Sequence, residues 1–70
     1  MRLNGDPTDA GATMGILLIL GFNERLIAHA MVTACDENKP YPLGDVTLWP
    51  ARTGNYTEAT WAVRKAEVKS

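Results

Sequence analysis

The longest apolar stretch of the chain covers residues 14–22 and is interrupted only by glycines. Before it, the tetrapeptide Asp-Pro-Thr-Asp at 6–9 combines an N-capping residue, a proline suited to the first helical position and a carboxylate that favours the positive end of a helix dipole. This pattern predicts a first helix at about 7–20, which ends at Gly21. A short buried strand at 16–20 is the alternative, because an unbroken apolar run shows neither the helical period of 3.6 residues nor the strand period of 2.

The clearest helical pattern follows and predicts a second helix at about 23–36. Asn23 is a favourable N-cap, and Glu24 suits the first turn. The apolar side chains cover an arc of roughly 240°, whereas a surface helix of a monomer typically needs a stripe of about 100° or somewhat more. A second copy of the chain would supply a further neighbour for so wide a surface. Small apolar residues exposed on a monomer are the alternative explanation.

Two prolines and a glycine predict a loop at 36–44. Beyond it, β-forming residues lie at 46–49 and 56–63, with Gly54-Asn55 as turn residues between them. They predict a β-hairpin over about 45–64, in which the first strand turns Trp49 to the same face as Thr47. In the second strand, Tyr56 is expected on the face opposite to Trp61. The predicted fold class is α+β: two apolar helices followed by a hairpin.

Good helix formers in the same C-terminal segment leave an all-α alternative, with a third helix at about 57–69. Such a helix would be poorly amphipathic, so the hairpin is preferred. In either version the chain is expected to form one small domain over 1–70. Its ends, at 1–5 and 66–70, are expected to fray.

A chain of 70 residues buries only about 60% of its unfolded surface, which is marginal for a domain that folds alone. Small domains usually add disulfides, a metal or self-association. The single Cys35 excludes an intramolecular disulfide, and the single His29 leaves no cluster of metal ligands. Elimination therefore favours a homo-oligomer. The predicted interface uses small or apolar helix positions, namely Gly11, Gly15, Ala28, Met31, Val32 and Cys35.

The net charge of −1 provides no field that would draw the protein to duplex nucleic acid or to an anionic membrane. The apolar run at 14–22 is shorter than the about 20 residues of a membrane-spanning helix. Together with a lone cysteine, these features predict a cytoplasmic protein without a membrane partner. The charge is uneven, since residues 1–49 carry three basic and six acidic side chains and residues 50–70 carry four and two.

No catalytic or cofactor motif is present, whether a phosphate-binding glycine loop, a dinucleotide fingerprint, Cys-x-x-Cys or His-Glu-x-x-His. His29 is the only imidazole, and Cys35 lies roughly 120° around the helix from it, so the two cannot pair within one chain. We therefore expect no enzymatic activity, no cofactor and no metal site.

Aromatic and basic side chains form the candidate binding site. They are Tyr41, Trp49, Arg52, Tyr56, Trp61, Arg64 and Lys65. Tyr, Trp and Arg carry much of the energy of protein interfaces, which favours a non-catalytic interaction protein, such as an inhibitor or adaptor of another protein. Rings beside guanidinium groups also stack bases and hold phosphates, so a sequestering protein for a nucleotide or another small anionic ligand is the alternative. Tryptophans that simply fill the core would remove both hypotheses.

Overall fold

The computed structural model describes residues 5–66 and confirms the α+β class, because two helices are followed by a three-stranded antiparallel sheet. Most of the ends that we expect to fray lie outside the described residues. The elements, in chain order, are α1 (Ala10–Ile19), α2 (Glu24–Glu37), β1 (Tyr41–Leu43), β2 (Val46–Arg52), a 3-10 turn (Tyr56–Glu58) and β3 (Thr60–Lys65).

Helix α1 begins three residues later than predicted, because the residues before it belong to the sheet. Thr8 exchanges two backbone hydrogen bonds with Trp61, of 2.8 and 2.9 Å, and so extends the edge of β3. The N-cap is Asp9, whose carboxylate accepts the N–H of Ala12 at 2.8 Å. The predicted start at residue 7 is therefore wrong, because a long-range pairing outweighs the local preference of the Asp-Pro sequence.

The end of α1 is confirmed at Gly21, which adopts a left-handed φ of 97°. Gly21 donates its N–H to the carbonyl of Leu18, and Phe22 donates to the carbonyl of Leu17. These two bonds form a Schellman motif, which needs a residue with positive φ at this position. The strand alternative for 16–20 is excluded.

Helix α2 matches its prediction within one residue at each end, and Asn23 caps it by accepting the N–H of Arg25 at 2.8 Å. The apolar residues of α2 cover an arc of roughly 240° around the helix axis, and the rest of the chain buries roughly 140° of it. Viewed down the axis, the buried part is bounded by Ala30 on one side and Cys35 on the other. At the two flanks of this buried part, Leu26 and Val32 stay exposed. The wide arc is thus only partly covered within one chain.

Strand β1 lies where a loop was expected. Tyr41–Leu43 pairs with β2 through a turn of two residues, Gly44 and Asp45. Gly44 has a φ of 55°, the positive value that the first position of such hairpin turns requires. The prediction of an irregular segment through residue 44 is therefore wrong at its end, because it assumed that Pro42 forbids a strand.

Pro42 is tolerated because it lies on an edge strand with its backbone turned outwards. The backbone carbonyl of Asp45 accepts the N–H of Ala66 at 2.9 Å. The backbone N–H and C=O groups of odd-numbered residues at the start of β2 are therefore directed towards β3. Thr47 belongs to this set, so its partner on β1, Pro42, faces away from β2. A proline at such a position costs the sheet no hydrogen bond.

Strands β2 and β3 form the predicted hairpin, but their connection is longer than expected. Residues Tyr56–Glu58 form a 3-10 turn, so Tyr56 is not a strand residue. Its ring packs edge-on against Trp61, with 5.3 Å between centroids, and it therefore does not lie on the opposite face. Because Thr60–Lys65 is a strand, the alternative of a third helix is excluded.

Both helices pack on one face of the sheet and enclose the core with it. The most deeply buried large side chains are Leu17, Ile27, Met31, Leu48 and Trp61. Trp61 is 0% exposed, and its indole Nε1–H donates to the backbone carbonyl of Met31 at 3.0 Å. Within the described chain, neither α1 nor α2 covers the other face, where Trp49 lies.

Candidate binding surfaces

Trp49 is the exposed aromatic centre of the outer face, by which we mean the sheet face opposite to the helices. Its side chain is 42% exposed. Thr47 shares this face, as predicted, because alternate residues of a strand point to the same side. The cross-strand partner of Trp49 is Ala62, whose methyl group is too short to cover an indole ring.

Arg64 lies beside this ring. It pairs across the strands with Thr47, diagonally adjacent to Trp49, and its guanidinium carbon lies 5.9 Å from the centre of the indole. A cation–π contact at an exposed site contributes about 0.5–1 kcal/mol. A Cβ atom added to Gly5 would lie 3.0 Å from Nε of Arg64, so the chain before α1 passes close along this side chain. Arg64 is thus held between a backbone segment and a ring.

A β-bulge adds a second guanidinium to the outer face. Pro50 pairs with Trp61, but Arg52 pairs with Thr60, so β2 has one residue more than β3 at this point. Without this bulge, in which Ala51 is the extra residue, Arg52 would point to the helix side by regular alternation. With it, Arg52 lies on the same side as Thr60, and therefore on the side of Trp49.

The other predicted binding residues lie elsewhere. Trp61 is in the core and offers no ring to a ligand, while Tyr56 covers its edge. Tyr41 is half-buried, with its ring edge-on to His29 at 5.9 Å between centroids. Lys65 is exposed but pairs with Val46, in the helix-facing register. Three of the seven residues, Trp49, Arg52 and Arg64, share the outer face.

A second surface consists of the outward side of α1. It carries only small and apolar residues, namely Gly11, Ala12, Gly15, Leu18 and Ile19. Ile19 is 71% exposed and Leu18 is 47% exposed. Apart from its two chain neighbours and the nearby backbone of α1 itself, no described atom lies within 4 Å of the place where a Cβ of Gly15 would stand. An all-round apolar helix indicated an uncovered side, but Leu18 and Ile19 were not among the predicted interface residues.

Two predicted interface residues of α2 belong to the core. Met31 is fully buried, and the Cys35 thiol is buried and donates a weak hydrogen bond to the carbonyl of Gly54 at 3.9 Å. They are therefore closed to a second copy in this fold. Val32 remains exposed and Ala28 is partly exposed.

The described residues contain no group of three or more His, Cys, Asp and Glu side chains that could hold a metal ion. His29 is exposed and Cys35 is buried on another side of α2, so they form no nucleophile–base pair. In the part of the chain from 5 to 66, no helix is long and apolar enough to cross a membrane. Comparison with protein-family models, curated proteins and solved structures gives no match.

Proposed function

We propose that the protein is a non-catalytic interaction protein that acts as a small homo-oligomer, with the outward side of α1 as the contact between copies. The exposure of Ile19, at 71% on a helix without any charged residue, is the observation that carries this proposal. Single exposed apolar residues are ordinary on protein surfaces, but a whole helix side of them marks an interaction site.

A second copy is the partner that suits this surface best. From Ala10 to Ile19 the helix has neither an acidic nor a basic side chain, so the patch itself brings no like charges together, and the charge that adjoins it is the N-cap Asp9 beside Gly11. A two-fold contact places the same patch on both sides and needs a self-complementary surface. Gly11 and Gly15 are four residues apart and let two helix backbones come close.

The sheet edge is a poorer route to self-association. Strand β1 has only three residues, and Pro42 offers no N–H where its backbone faces the edge. Short strands and prolines at an edge are devices that prevent pairing with another chain. The contact between copies is therefore assigned to the helix layer.

The size of the chain limits how strong the contact is. A standard interface buries about 800 Å² on each partner, about a sixth of the 4819 Å² that one chain exposes. The side of a helix of ten residues is about 15 Å long and cannot supply this area alone. Leu20 and Leu26, which are exposed near the junction of the helices, would extend it.

Light scattering coupled to size-exclusion chromatography, over a wide concentration range, tests the proposal. The wild type is expected to form one closed oligomer, and Ile19→Lys is expected to give a monomer. An unpaired charge in a contact costs several kcal/mol, which raises the dissociation constant by about two powers of ten or more. Ala51→Lys adds the same charge on the sheet and should leave the oligomer intact. A wild-type monomer at every concentration would refute the proposal.

The role as an inhibitor or adaptor of another protein stays a prediction, as does the cytoplasmic location, which is predicted from the net charge, the short apolar run and the lone Cys35.

A further inference from the structure

We infer that the outer face of the sheet binds single-stranded nucleic acid, with a base stacked on the exposed part of the Trp49 ring, beside its contact with Arg64, and backbone phosphates held by Arg52 and Arg64. This site is on the side of the sheet opposite to α1. It therefore stands independently of the proposed self-association, and either proposal can fail without the other.

The first argument is the alternation of charge and ring along the face. Arg64 lies one row of the sheet to one side of Trp49, and Arg52 lies one row to the other side. Rows on one face are about 6.7 Å apart, so the two arginine rows are about 13 Å apart. An exposed ring between two cations is the arrangement that stacks a base and neutralises the phosphates on both sides of it.

The second argument is that both guanidinium groups are available. Arg52 and Arg64 are both exposed, and the described contact of the Arg64 guanidinium is with the ring of Trp49. No outward-facing position of β1, β2 or β3 is a carboxylate. Residues 46–66 carry three basic side chains and one acidic side chain, a net charge of +2, although the whole chain has −1. The hairpin of β2 and β3 thus carries a positive net charge in a chain that is negative as a whole.

The third argument is that the site is pre-organised on rigid elements. Arg64 is flanked by the backbone at Gly5 and by the indole of Trp49, which restricts its rotamers before a ligand arrives. Arg52 belongs to a paired strand, and the bulge in that strand turns its side chain to the outer face. A sheet face from which the ring of Trp49 stands 42% exposed suits an extended strand better than a free nucleotide, which needs a concave pocket.

Fluorescence anisotropy with a labelled, short oligothymidylate tests the site. With two phosphates neutralised, log K is expected to fall with log salt with a slope of about −1.4. Arg52→Gln and Arg64→Gln should each reduce the slope to about −0.7. Arg25→Gln removes an exposed cation from α2, on the opposite side of the molecule, and should leave both affinity and slope unchanged.

Trp49→Ala is expected to weaken binding by roughly 5- to 150-fold, the loss of one stacked base, while Trp49→Phe retains part of the affinity. Circular dichroism checks that the variants fold. The Ile19→Lys variant should bind as the wild type does, which separates this site from the contact between copies.

Four results would overturn the inference: no binding, binding that survives Trp49→Ala unchanged, preference for a duplex of the same length, or equal affinity for free thymidine monophosphate. The last result would make the face a free-nucleotide site. Capture of a protein through Trp49, without any affinity for the oligonucleotide, would make it a protein interface.

Discussion

The two tryptophans lie on neighbouring rungs of one β-ladder and have opposite surroundings. Trp49 pairs with Ala62, and the next pair joins Pro50 to Trp61. Trp61 is 0% exposed under the helices, whereas Trp49 is 42% exposed on the outer face. Because adjacent rungs point to opposite sides of a sheet, a shift of one residue in register exchanges core and surface.

The polar groups around the two rings differ in the same way. The indole N–H of Trp61 is removed from water and donates to the carbonyl of Met31. The ring of Trp49 instead faces the guanidinium of Arg64, which stays exposed. One ring therefore contributes to the stability of the core, and the other is the exposed ring of the proposed binding site. The predictions below test how complete this separation is.

The largest effect is expected for Trp61→Ala. Removal of a buried large aromatic side chain costs about 3–5 kcal/mol, which is comparable with the whole stability of a small domain. Urea denaturation followed by circular dichroism should show an unfolded or nearly unfolded chain. Trp61→Phe keeps most of the apolar volume but loses the bond to Met31, so it should fold with a smaller loss.

The matched control is Trp49→Ala, for which the loss should stay below about 1 kcal/mol, since surface substitutions away from packed features have small effects. Equal losses for the two alanine variants would mean that the outer face is as important for the fold as the core.

The sequence predicts those parts of the fold that depend on local signals, and it misses those that depend on distant pairing. The limits of α2 and the end of α1 follow from caps and glycine chemistry, which act within one turn of a helix. The start of α1 depends on the pairing of Thr8 with Trp61, 53 residues away in sequence, and no local pattern reports it. Strand β1 was hidden by Pro42, which is acceptable only at an edge, and an edge is a property of the whole sheet.

The kinds of residue in the candidate site could be predicted from the sequence, but which of these residues share one face could not. Aromatic and basic residues are concentrated near the C-terminus, but only the register decides that Trp49 faces outwards. Arg52 reaches the same face because of one bulged residue, and although prolines such as Pro50 are found at bulges, the sequence alone does not show that Ala51 is the extra residue. Similarly, an apolar arc on α2 cannot show by itself that Met31 meets the sheet of its own chain.

A smaller loss of stability is expected for a substitution at Thr13, which joins α1 to the segment that pairs with β3. The hydroxyl of Thr13 is buried, lies 2.7 Å from that of Thr8 and donates to the carbonyl of Thr8 at 3.1 Å. Thr13→Val should destabilise the protein by about 1 kcal/mol, because both partners retain another hydrogen bond. Thr57→Val removes an exposed hydroxyl bond to Asn55 and should change the unfolding midpoint much less. Similar losses for the two variants would contradict a special role for the buried pair.

The smallest effect on stability is expected on the outward side of α1. Like the outer face of the sheet, this side is not covered by the rest of the described chain. Gly15 has open space where a side chain would begin, so Gly15→Ala should stabilise an isolated chain by up to about 1 kcal/mol through helix propensity alone. If a second helix packs on Gly15, the same methyl group should hold the two backbones apart and weaken self-association. Unfolding at low concentration and light scattering at high concentration measure the two effects separately. A variant that is more stable and associates as strongly as the wild type would show that copies do not meet at Gly15.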